Sequence, residues 1–262
     1  MSNSPIVIFD SGLGGTSILR EVIIRLPHEN IIYLADSKNA PYGEKPKSEI
    51  IRLSQKNTDL AIEFGAKIVV VACNTATTNA IDILRKNYNI PFIGIEPAIK
   101  PAALNSKTKR IGILATQGTL SSELFQHTSQ TFAKNTKVIE VIGKDIVEAV
   151  ESGNLENPVF IECLKHQIQI FIDENIDILV LGCTHYPYII PILKQLLPKT
   201  IEIIDSGNAV AKQTENVLQA QNLINSSTEF GKLKIFTNKP NENIIHKLNP
   251  NFNLEKIAFK DF

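Results

Sequence analysis

Neither sign of charge prevails in this chain: 27 Lys and Arg side chains balance 27 Asp and Glu over 262 residues. With no net field, nucleic acid and anionic membrane surfaces are not expected partners. Long apolar runs are missing as well, none approaching the roughly 20 residues that span a bilayer. The segment Met1-Ser2-Asn3-Ser4-Pro5 lacks a basic flank, and the apolar run Ile6-Val7-Ile8-Phe9 after it is short for a secretory signal, so a cytoplasmic protein is expected. Cysteine is scarce and odd in number, three in all, which fits reduced thiols better than a disulfide framework. There is no low-complexity stretch and no long linker. What remains is a globular chain, 43% hydrophobic, with material for one large core or two smaller ones.

Short β-branched runs recur before clusters of Gly, Asn, Asp or Thr, each followed by a longer stretch with helical spacing. Nine strands are expected: Ile6 to Phe9, Ile31 to Ala35, Ile68 to Ala72, Phe92 to Ile95, Arg110 to Ala115, Lys137 to Ile142, Ile178 to Gly182, Glu202 to Asp205 and Lys234 to Thr237. Repeated βα units of this kind build parallel sheets covered by helices on both faces.

The sequence also echoes itself. Ile68-Val69-Val70-Val71-Ala72-Cys73-Asn74-Thr75 is matched by Ile178-Leu179-Val180-Leu181-Gly182-Cys183-Thr184-His185, and Ile8-Phe9-Asp10-Ser11-Gly12 by Ile203-Ile204-Asp205-Ser206-Gly207. The expected architecture is α/β, with two similar parallel-sheet domains facing each other across a central cleft. The boundaries follow the echoes: residues 1–96 with 208–262 form the first domain, and 97–207 the second.

Ligands of parallel α/β sheets bind at the carboxyl ends of strands, and the candidate residues fall there. Asp10-Ser11-Gly12-Leu13-Gly14-Gly15 follows the first strand; it is either a ligand cradle or a tight connection, and it lacks the Lys and spacing of a nucleotide P-loop. Cys73 and Cys183 each end an apolar strand beside hydrogen-bond donors, a setting that can poise a thiol as a proton acceptor. Taken singly, each is as easily a small buried hydrophobe. Their matched contexts favour chemistry. Cys163, in an expected helix from Pro158 to Phe171, is assigned to the core. A zinc site of Cys73, Cys183 and His185 lacks the usual paired spacing, and a Cys183–His185 acyl-transfer nucleophile leaves Cys73 without a purpose. Asp36-Ser37 and Pro41-Tyr42-Gly43 also suit plain turns. His28, His127, His166 and His246 are assigned to the surface or to structural roles.

Together these segments resemble the glutamate racemase family in order and spacing over nearly the whole chain. The motifs are Phe9-Asp10-Ser11-Gly12-Leu13-Gly14-Gly15, Ala35-Asp36-Ser37, Pro41-Tyr42-Gly43 with Lys45, Ala72-Cys73-Asn74-Thr75-Ala76, Glu96-Pro97, Leu114-Ala115-Thr116-Gln117-Gly118-Thr119, Val150-Glu151-Ser152-Gly153 and Gly182-Cys183-Thr184-His185-Tyr186-Pro187. The resemblance implies interconversion of L- and D-glutamate for bacterial peptidoglycan, without pyridoxal phosphate, metal or other cofactor, in an enzyme that is often a homodimer. It makes Cys73 the base toward D-glutamate and Cys183 the base toward L-glutamate. Asp10, His185 and Glu151 become assisting groups in catalysis. Substrate contacts map by similarity onto Asp10, Ser11, Pro41, Tyr42, Gly43, Asn74, Thr75, Thr116, Thr119, Thr184 and His185. Glu148 competes with Glu151 for the acidic role, since the residues before it depart from the family's pattern; the Val-Glu-x-Gly frame favours Glu151. A racemase for aspartate or another acidic amino acid, or a metabolite-binding protein without catalysis, remains an alternative.

Overall fold

Ile6, Val7, Ile8 and Phe9 are all fully buried, and they point alternately to two different cores. Ile6 and Ile8 join one apolar cluster, Val7 and Phe9 another, as the two-residue period of a central strand requires. That strand, β1 (Ile6–Asp10), lies in a computed structural model that describes residues 2–262. It is followed by α1 (Thr16–Arg25), β2 (Ile31–Ala35), α2 (Lys47–Glu63), β3 (Ile68–Val71), α3 (Asn74–Asn87) and β4 (Phe92–Gly94). The chain continues with α4 (Ile99–Asn105), β5 (Arg110–Ala115), α5 (Gln117–Leu120), α6 (Glu123–Phe132), β6 (Lys137–Ile142), α7 (Ile146–Glu151), α8 (Pro158–Asp173), β7 (Ile178–Gly182), α9 (Ile190–Leu196) and β8 (Glu202–Ile204). It closes with α10 (Gly207–Ala220), β9 (Leu233–Thr237), α11 (Glu242–Leu248) and β10 (Lys256–Phe259).

Two parallel sheets result, a six-stranded one in the order β10-β9-β2-β1-β3-β4 and a four-stranded one in the order β6-β5-β7-β8. The first takes its strands from residues 6–94 and 233–259, the second from 110–204. The order β2-β1-β3-β4 is repeated in the order β6-β5-β7-β8, so β3 and β7 hold equivalent places. In each sheet the connections reverse direction beside the first of these strands, which opens a crevice between β1 and β3 and another between β5 and β7. Cys73 and Cys183 sit at those two crevices.

The second echo does not survive this alignment. Asp10 ends the central strand β1, whereas Asp205 follows the edge strand β8; the strand equivalent to β1 is β5, which ends in Ala115 and is followed by Thr116. Asp205 instead accepts the Gly207 amide at 2.7 Å, an ordinary turn contact. The expected strands appear with ends moved by a residue or so, and β10 is an addition. Its residues are exposed or half-buried on the sheet edge, so the segment carries little apolar signal. Cys163 is half-buried rather than in the core: it lies on the outer side of α8, 3.3 Å from the Gln167 amide.

Candidate active site

Cys73 caps the amino terminus of α3, its sulfur accepting the Ala76 amide at 3.4 Å and donating toward Ser11 Oγ at 3.7 Å. The helix forms because Ala76, Ala80, Ile81 and Leu84 bury one face against β3. Burial pushes the Cys73 thiol far up, with the nearby Asp10 charge adding to the effect. Asn74, next in line, is 3% exposed, and neither its amide nitrogen nor its oxygen has a hydrogen-bond partner among the described residues. Burying such groups unpaired costs about 1–3 kcal/mol each.

Cys183 leaves β7 and meets a different neighbour. Its sulfur stands 3.7 Å from Nδ1 of His185, whose Nε2 lies 2.7 Å from Glu151 Oε1. Burial pushes His185 down, but the hydrogen bonds with Cys183 and Glu151 outweigh it and hold the imidazole well above its ordinary range. The Gly14 amide also points at Nε2, at 3.2 Å. A protonated Nε2 cannot accept it, and the shorter contact to a carboxylate decides for donation to Glu151.

Glu151 ends α7, where Gly153 at φ +66° stops the helix and the Asn154 amide returns to the Ala149 carbonyl at 2.8 Å. Its Oε1 also accepts the Leu13 amide from the β1 loop. The glycines of that loop leave space for the opposite sheet. A Cβ on Gly12 would stand 2.0 Å from Glu151 Oε1, and one on Gly14 2.2 Å from His185 Nδ1. Glu148 is exposed and lines an outer hollow with Glu44 and Lys144, away from His185.

The remaining residues close the gap between the sheets. Thr75 and Thr116 share a hydrogen bond of 2.9 Å, with Thr119 behind them at 3.3 and 3.1 Å. Asp10 is buried, accepts the Gly12 and Gly15 amides at 3.1 and 3.0 Å, and accepts the Thr184 hydroxyl from across the gap at 3.2 Å. Its carboxyl is raised to about 6, chiefly by burial. Tyr42 is fixed by donating to Asp36.

One cavity gathers these parts. Ser11, Pro41, Tyr42, Gly43, Cys73 and Asn74 wall it from the first sheet, with Thr75 beside them. Thr116, Val147, Cys183, Thr184 and His185 complete it from the second. Asp10, Thr119 and Glu151 stand behind the wall rather than on it. The cavity has room for about one water molecule. A roomier hollow beside Ile23, Ile24, Phe230 and Phe252 is mostly apolar and contains neither thiol. Among the described residues no three His, Cys, Asp or Glu side chains are placed to share a metal ion.

A family model described as Asp/Glu/Hydantoin racemase matches residues 17–214. The chain belongs to this family. Within this racemase family, its relatives include the glutamate racemase of Herpetosiphon aurantiacus, 40% identical over 90% of this chain and 93% of the relative. Among solved structures, glutamate racemase isoform RacE1 from Bacillus anthracis superposes with a TM-score of 0.89 at 27% identity, covering 100% of this chain and 99% of that one. The Escherichia coli glutamate racemase, solved with L-glutamate and an activator, gives a TM-score of 0.85 at 30% identity over 98% of both chains. A racemase inverts a stereocentre, which calls for a proton acceptor on one face of a carbon and a donor on the other. The cavity offers two thiols, one from each sheet.

Proposed function

We propose that the chain interconverts L- and D-glutamate by transferring the α-proton between two thiols. The observation that carries this reading is that Cys73 and Cys183, from equivalent strand ends of two sheets, wall the same cavity. In the L-to-D direction the Cys183 sulfur takes the α-proton from one face while the Cys73 thiol gives its proton to the other. The raised Cys73 thiol suits that resting role as the donor. The reverse reaction exchanges the roles, and no proton is gained or lost overall. The α-proton is weakly acidic, so the developing charge needs oriented donors in a site that excludes water. Unpaired Asn74, the Thr75 and Thr116 hydroxyls, Thr184 and Ser11 are the groups we assign to the two carboxylates and the ammonium of the substrate. We assign Tyr42, Pro41 and Gly43 to the wall beside them. His185, held by Glu151, assists Cys183, and Asp10 assists from the Cys73 side.

We further infer that residues 1–96 with 208–262 and residues 97–207 are two units that part to admit substrate, because the cavity is too tight as it stands. D-Glutamate produced this way would supply peptidoglycan from the cytoplasm; among the described residues no helix is long and apolar enough to cross a membrane. A homodimer is proposed on the apolar hollow where Ile24 and Phe230 are 69% and 79% exposed, and light scattering tests it.

Incubation with L-glutamate, and separately with L-aspartate, in D2O decides the substrate. Deuterium at the α-carbon with loss of optical rotation is expected for glutamate. Exchange of aspartate alone would transfer the reading to that amino acid, and binding without exchange would make the protein a receptor.

A further inference from the structure

Glu151 reaches His185 with one carboxylate oxygen; the other is held by Ser37, which leads to residues outside every motif considered so far. Glu151 Oε2 lies 3.2 Å from Ser37 Oγ, and Ser37 Oγ lies 3.0 Å from Nδ2 of Asn241. Oδ1 of Asn241 in turn faces the Thr237 hydroxyl at 2.9 Å. Ser37, Thr237 and Asn241 are 3%, 0% and 4% exposed, so water does not compete for these contacts. The direction of the chain is fixed by valence. A carboxylate can only accept, so Ser37 spends its single proton on Glu151, and Asn241 must turn its NH2 toward Ser37. The same segment grips the Glu151 turn a second time: Lys247 on α11 donates to the Gly153 carbonyl at 2.6 Å. Among the described residues no such chain reaches Cys73, whose sulfur hydrogen-bonds with Ser11 and the Ala76 amide alone.

We propose that Ser37 and Asn241 are positioning residues that orient the Glu151 carboxylate and, through His185, set proton transfer at Cys183 without acting on Cys73. The inference rests on the two-thiol reading above. It makes the segment from β9 to α11, which contributes nothing to the cavity wall, a part of one half of the reaction.

The two enantiomers have equal free energy, so kcat/KM is the same in both directions for any variant, and a defect on one side must be read from isotope effects. With α-deuterated substrates, slower transfer at Cys183 raises the isotope effect from L-glutamate and lowers that from D-glutamate. Ser37→Ala removes the donor. Asn241→Asp keeps the shape but offers Ser37 a competing acceptor, and thermal melting verifies that it remains folded. Both are expected to lower kcat/KM by about tenfold, the scale of one hydrogen bond to a charged group, with the isotope effects moving apart as described. Ser37→Thr restores the hydroxyl and should recover most of the loss. Wild-type rates and isotope effects in both variants overturn the proposal, as does a rate loss that leaves the two isotope effects in their original ratio. If the unmodified protein does not racemise glutamate, the functional reading fails instead. The ring nitrogen resonances of His185, assigned with His185→Gln, then judge the relay: they move in Ser37→Ala if it exists and stay in place if it does not.

Discussion

Cys73 and Cys183 leave equivalent strands of equivalent sheets, yet their surroundings differ in kind. Cys73 is met by a helix amide and a serine hydroxyl, and the charge that most raises it is the carboxylate of Asp10. Cys183 is met by an imidazole that is itself tied to a carboxylate. The shared fold therefore supplies symmetry of position, while the loops after the strands supply an asymmetry of proton partners. A reaction between mirror-image substrates needs the first and tolerates the second, because equal overall efficiency in the two directions constrains the sum of the steps and not each thiol separately.

The largest effect should come from removing either thiol. Cys73→Ala and Cys183→Ala are each expected to lower racemisation by about 10²–10⁴-fold, the usual range for a positioned acid or base, as followed by circular dichroism of the substrate. A variant that keeps the native rate would break the pairing of the two sites. Next in size is Gly14→Ala, whose methyl would overlap His185. A displacement of about 1 Å at a catalytic group costs on the order of 10²-fold, and the loss should fall on the Cys183 side in isotope effects. A normal rate would mean that the imidazole is not needed where it stands. Glu151→Gln keeps a hydrogen-bonding group but removes the charge facing His185, and about a tenfold loss is expected. The same change at exposed Glu148 should leave the rate alone, which separates the two acids that the sequence left in competition.

Much of this arrangement was legible beforehand. The buried runs before Asp10, Cys73, Thr116 and Cys183 announce strands through their β-branched residues, and a strand end in a parallel sheet is where ligands collect. The chain could not announce which echoes are topologically equal. Asp10 and Asp205 read alike, but only the strand order reveals that one lies at a crevice and the other at an edge. Glu151 and Glu148 differ by less than one helical turn, and their roles diverge only when α7 is placed against the β1 loop. The link between Ser37 and Asn241 was beyond reach for a related reason. They touch across 204 residues of sequence, each looks like ordinary turn chemistry, and no local pattern encodes a hydrogen bond between them.

The smallest expected effect tests Asp10, the charge that acts most on the Cys73 half of the comparison. Burial raises its carboxyl to about 6, above the ordinary 3.8, so the folded state holds this proton more tightly than the unfolded chain. Stability from Asp10 is then present when the pH is low enough to protonate it in the fold, and it is lost as the pH rises through about 6. Between pH 5 and pH 7 that loss should be on the order of 1 kcal/mol, small beside the catalytic effects. Asp10→Asn can keep the contacts with Gly12, Gly15 and Thr184 but takes up no proton. Urea unfolding of both proteins at the two pH values isolates the residue: the variant should gain on the native protein as the pH rises. A constant difference would mean that Asp10 stays ionised throughout, and the proton assistance assigned to it beside Cys73 would then fall away.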